Sequence, residues 1–72
     1  MSEADLPVDV AVVVAELPQR LFRLKTADGD EIVAGPSPQA QRLGLRLQPG
    51  QSVRVKRARL DPGRGVIVGL AE

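Results

Sequence analysis

The sequence predicts an all-β domain, a five-stranded barrel with one short helix between strands three and four. Three observations carry this. Short runs of β-branched or alternating apolar residues recur along the 72 residues. Asp-Gly, Pro-Gly and proline punctuation separates them. A single helical start-and-stop pattern falls between the third and fourth runs. So few strands leave exposed edges in an open sheet, and closure into a barrel removes them.

Residues 1–7 are polar and end in Pro7, which predicts a short flexible tail ahead of one domain over 8–72. Val8, Val10, Val12 and Val14 alternate with Asp9, Ala11, Val13 and Ala15. This predicts a strand buried on one face throughout and in part on the other. Leu17-Pro18 ends it, because proline cannot donate to a ladder. "LFRLKT", Leu21 to Thr26, places Phe22 and Leu24 on one face and Arg23 and Lys25 on the other. Asp28-Gly29 then signals a hairpin turn, and "EIVAG", Glu31 to Gly35, returns as the third strand.

Pro36 and Pro38 forbid a continuing strand. Ser37 suits a helix N-cap, Pro38 the first helical position, and Gly44 a stop after Leu43. Pro49-Gly50 suits the centre of a turn. Val53 and Val55 alternate with Arg54 and Lys56 in a fourth strand, and "VIVGLA", Val66 to Ala71, forms a fifth after the "LDPGRG" loop. Strand, strand, strand, short helix, strand, strand is the order of the OB-fold, a partly open barrel that often binds oligonucleotides.

Composition narrows the chemistry. There is no cysteine and no histidine, so no disulfide framework, thiol chemistry or zinc knuckle is available, and the commonest general base is missing. "DGDE", Asp28 to Glu31, lacks calcium-loop ligand spacing, and "GRG", Gly63 to Gly65, is not a phosphate loop. No enzyme, metal or cofactor is expected. The acidic start, with Glu3, Asp5 and Asp9, is the wrong sign for a signal peptide, and the apolar run from Val10 to Ala15 is too short to span a bilayer. A cytoplasmic monomer with no membrane partner is the expectation.

Net charge is +1, yet residues 1–36 sum to −4 and residues 37–72 to +5. Such asymmetry hints at a polyanion-binding face. "VRVKRARLDPGRG" concentrates it, with Arg54, Lys56, Arg57, Arg59 and Arg64 against one acid, Asp61. Two readings stand open: a grip on phosphates, or the solvated face of a strand and its loop. The one aromatic, Phe22, alternates with Leu24 and reads as core, so RNA binding here would rest on phosphates and shape rather than on stacked bases.

"ELPQRLFRLKTADGDEIVAG", Glu16 to Gly35, with "LRLQPGQSVRV" and "LDPGRGVIV", resembles bacterial translation initiation factor one. Leu17, Pro18, Phe22, Arg23, Gly29, Ala34, Arg46, Gly50, Val53, Asp61, Arg64, Gly65 and Ile67 fall in step with the family pattern, from about Val8 to Leu70. The resemblance implies an OB-fold bound at the decoding (A) site region of the small ribosomal subunit. There it would touch ribosomal RNA, assist the other initiation factors and catalyse nothing. It carries RNA-facing roles to Arg42, Arg46 and Arg64, and to Arg23. The sequence also departs from the family. "SPQAQRLG", Ser37 to Gly44, keeps one base where the family loop has several, and the end "GLAE" lacks the usual arginines. "RVKRAR", Arg54 to Arg59, is more basic than the family's fourth strand. A divergent module that binds another RNA or an acidic protein through that strand is the alternative.

Overall fold

In the computed structural model, residues 8–61 and 63–71 are described; the expected tail over 1–7 lies outside them. Local chemistry sets each boundary. Strand β1 spans Val8–Leu17 and gives way to a 3-10 turn, Pro18–Arg20. Strand β2, Leu21–Thr26, and β3, Glu31–Pro36, form the expected hairpin. Its turn uses Gly29 at φ 91°, a left-handed conformation that glycine adopts without a Cβ penalty. The Gly29 amide donates to the Thr26 carbonyl at 2.9 Å, and the Asp30 amide to the Thr26 hydroxyl at 3.1 Å. That second bond satisfies the one buried polar side chain among the described residues.

Helix α1 spans Pro38–Arg42. The Ser37 hydroxyl caps it by accepting from the Ala40 amide at 3.0 Å, and Gly44 leaves it at φ 69°. The Ser37 amide donates to the Ile67 carbonyl at 2.8 Å, and Ala40 is the helix's buried residue, so α1 is pinned over one end of the barrel. Strand β4 is Ser52–Arg57 and β5 is Arg64–Leu70. Two strands run past their expected ends: β3 takes in Pro36 and β5 starts at Arg64. Both extensions are made by the parallel β3–β5 pairing, Val33↔Arg64 through Pro36↔Ile67, which no local signal encodes.

The sheet closes in the order β1-β2-β3-β5-β4. Strand β1 serves both sides, pairing with β4 through its first half and with β2 through its second. A bulge between Val13 and Ala15 lets it change partners. The Pro49-Gly50 turn locks onto that bend, with the Gly50 amide on the Val13 carbonyl at 2.8 Å and the Val13 amide on the Gln51 carbonyl at 2.9 Å.

Leu24, Ile32, Val53, Val55 and Ile67 are wholly inaccessible, joined by Ala11, Val13, Phe22 and Ala34. Phe22 is therefore core, as its alternation predicts. On β1 the buried face is that of Ala11 and Val13, whereas Val8, Val10, Val12 and Val14 are 41–54% exposed. Pairing decides this parity: Ala11 lies opposite Val53 on one side and Thr26 on the other, and all three point inward. Gly65 is demanded by closure, since a Cβ there would stand 2.6 Å from the Lys56 carbonyl oxygen on β4.

Candidate nucleic-acid interface

The barrel sorts the arginines that the sequence groups together. At the α1 end, an open cleft of about 420 Å³ lies between the end of β1, the 3-10 turn, α1 and the loop that follows it. Arg20 and Arg46 line it, with Gln41 and Gln48 as amide hydrogen-bonding groups and Glu16 as its one acid. Phe22, Leu45 and Leu47 supply apolar wall. Arg42 is exposed beside Gln41 on α1. Cations, amides and one apolar wall suit a phosphate-bearing ligand with a flat, polar-edged group attached.

Backbone strain helps build this end. Gln19 and Arg20 take positive φ, 65° and 61°, in the region that costs a side-chain-bearing residue about 1–2 kcal/mol. The reversal between Pro18 and Leu21 carries Arg20 into the cleft. Strain of this kind concentrates at functional sites. Arg20 is a member of the cleft that no sequence motif singles out.

A second group forms a row. Arg23 on β2 lies opposite Val33 on β3, and Val33 lies opposite Arg64 on β5. Arg23 and Arg64, 41 positions apart, are both exposed and flank one half-buried valine on the barrel surface.

The "RVKRAR" cluster does not act as a unit. Arg54 and Lys56 share the outward face of β4, opposite to buried Val53 and Val55, as alternation requires. Arg57 has the inward parity and caps the barrel end remote from α1. Its Nε stands 2.8 Å from Oδ2 of Asp9, and its Nη2 donates to Oδ2 of Asp30 at 3.4 Å. The Nε–H is shielded from water and is not aligned for a true hydrogen bond to Asp9. Two carboxylates thus neutralise Arg57, and it is a structural tie more than a free phosphate ligand. Arg59 projects from the following loop, exposed and away from the cleft-lining elements.

No protein-family model matches this chain, and no curated protein does. Among solved structures, the barrel is similar to the solution structure of translation initiation factor one from the Wolbachia endosymbiont strain TRS of Brugia malayi. The TM-score is 0.78 at 24% identity, over 99% of this chain and 85% of that one. At this identity the likeness is one of fold: a divergent OB barrel of the kind seen in that factor, with its helix between β3 and β4.

Proposed function

We propose that this chain is a non-enzymatic translation initiation factor. It binds the decoding (A) site region of the small ribosomal subunit through ribosomal RNA and works alongside the other initiation factors in the cytoplasm. The observation that carries the reading is the near-complete overlay on translation initiation factor one, combined with arginines gathered round an open cleft at the α1 end. Arg20, Arg42 and Arg46 engage phosphates there, and Gln41 and Gln48 offer donors and acceptors to a base edge or ribose. Arg23 and Arg64 hold a neighbouring stretch of backbone across β2, β3 and β5. Guanidinium groups pair with phosphate oxygens in forked geometry, and each such contact adds salt dependence of about 0.7–0.9 log units per tenfold change in salt.

The test is co-sedimentation with purified small subunits at low and high salt, comparing the native chain with Arg46→Ser and Arg64→Ser. Binding that fades with salt and weakens in both variants supports the reading. Association with the large subunit alone, or with neither subunit at low salt, overturns it.

A second reading, a divergent module binding another ligand through β4, is favoured by one observation: Arg54 and Lys56 face outward with no carboxylate in ion-pair range among the described residues.

A further inference from the structure

The outer face of β1 is unexplained by the barrel and lies apart from the cleft. Val8, Val10, Val12 and Val14 are 43, 54, 41 and 44% exposed. Single exposed apolar residues are ordinary, whereas contiguous ones rimmed by polar groups mark interaction surfaces. Over the six steps from Val8 to Val14 the ridge runs for about 20 Å.

Cations rim it on both sides. On β4, Lys56 lies opposite Val8 and Arg54 opposite Val10; on β2, Lys25 lies opposite Val12. Directly opposed residues on one face stand about 4.5–5.5 Å apart, so these side chains share the valine surface. The Arg54 guanidinium lies over Gly69 of β5, so this cation forms the outer edge of the β4 shoulder, on the side away from β1. The ion pairs among the described residues are those of Arg57 with Asp9 and Asp30, so none of the three rim cations is neutralised by a salt bridge. The carboxylate nearest in register is Glu31, opposite Lys25 on β3.

We propose that this face docks an acidic amphipathic segment of a partner protein. Its apolar stripe lies along Val8, Val10, Val12 and Val14, and its carboxylates reach Arg54 and Lys56 on one shoulder and Lys25 on the other. The chemistry selects this occupant. Branched aliphatic side chains give bases no ring on which to stack, which disfavours single-stranded nucleic acid. A second copy placed ridge to ridge would oppose cations to cations. A protein segment with an apolar centre and acidic flanks satisfies both the valines and the charges.

The inference is independent of the ribosomal reading, and the experiment keeps the two apart. The probe is a labelled helical peptide of about 13 residues, which matches the ridge at about 1.5 Å per residue. It carries one leucine stripe with glutamates on both shoulders, and a control peptide carries lysines in their place. Binding is followed by fluorescence anisotropy and by backbone amide shifts. Saturable binding of the glutamate peptide alone, with shifts on β1 and β4, is expected. Val10→Ser with Val12→Ser weakens it about tenfold, and Arg54→Ser with Lys56→Ser does the same with loss of salt sensitivity. The replaced side chains are surface ones, and circular dichroism verifies that each variant is folded. Small-subunit co-sedimentation of the valine variants is unchanged.

Equal binding of both peptides, or binding indifferent to the valines, overturns the proposal. So does self-association that Val12→Ser abolishes, adsorption to anionic lipid vesicles in preference to the peptide, or loss of small-subunit binding in the valine variants without peptide binding. Failure of the native chain to bind subunits, with the peptide results as expected, removes the ribosomal reading and leaves this one standing.

Discussion

The two ends of the barrel use arginine in opposite ways. At the end remote from α1, Arg57 meets Asp9 from the start of β1 and Asp30 from the β2–β3 turn, and its charge is consumed in holding three strands together. At the α1 end, Arg20 and Arg46 line an open cleft that contains one acid, Glu16, and neither forms an ion pair among the described residues. The difference teaches that a run of basic residues is not a binding surface until its carboxylates are located. The densest cluster in the sequence contains the most thoroughly neutralised arginine, and the cleft draws its cations from separate segments.

The contrast can be broken most directly by exchanging losses between the ends. Removing Arg20, Arg42 and Arg46 together, each to serine, is expected to weaken small-subunit binding by about a hundredfold or more and to flatten its salt dependence by about 2–3 log units per tenfold change in salt. Arg57→Ser is expected to leave both quantities unchanged. Comparable losses from the two variants, measured by co-sedimentation across a salt series, would erase the distinction.

Stability should show the mirror image. Arg57→Ala is expected to cost about 1 kcal/mol, since the tie is partly exposed and screened by water. For a domain of this size that lowers Tm by about 4–8 °C in a thermal melt followed by circular dichroism. Each single cleft variant, a surface change at a residue free of ion pairs among the described residues, should shift stability by no more than about 0.5 kcal/mol. A cleft variant that melts well below Arg57→Ala contradicts the assignment of roles.

Two smaller effects sharpen the picture. Gln19→Gly is expected to raise stability by about 0.5 kcal/mol, because relief of the left-handed strain exceeds glycine's entropic cost by a little. Denaturant titration reads this, and a destabilised variant would place the strain elsewhere. Asp30→Asn should cost about 0.5 kcal/mol or less, since its contact with Arg57 is the longer one and its side chain is 59% exposed. In a double-mutant cycle with Arg57→Ala the two losses should fall short of additivity, as partners in one contact do.

Much of the barrel was legible in the chain. The Asp28-Gly29 hairpin, the Ser37 cap, the Gly44 stop, the Pro49-Gly50 turn and the inward faces of β2 and β4 are consequences of backbone sterics and alternation within a few residues. The bend at Val13 and the parity of β1 were not, because a strand of valines and alanines is apolar on both faces and its orientation waits on its partners. Of the candidate RNA ligands, Arg42, Arg46, Arg23 and Arg64 are exposed. Arg57 does not stand with Arg54 and Lys56, since one residue of strand rotates a side chain to the other face. Arg20 gave no local signal beyond its charge.

What the sequence by itself determined was where the chain turns, which runs are strands, and that polyanion-binding chemistry is within reach while histidine and cysteine chemistry is not. What only the tertiary structure decided was which charges pair among the described residues. The −4 and +5 of the two halves do not form two poles, because Asp9 and Asp30 of the first half meet Arg57 of the second. Steric preferences act over a few bonds and are written locally. Electrostatic pairing acts through space between strands far apart in the chain, so closure of the barrel decides it.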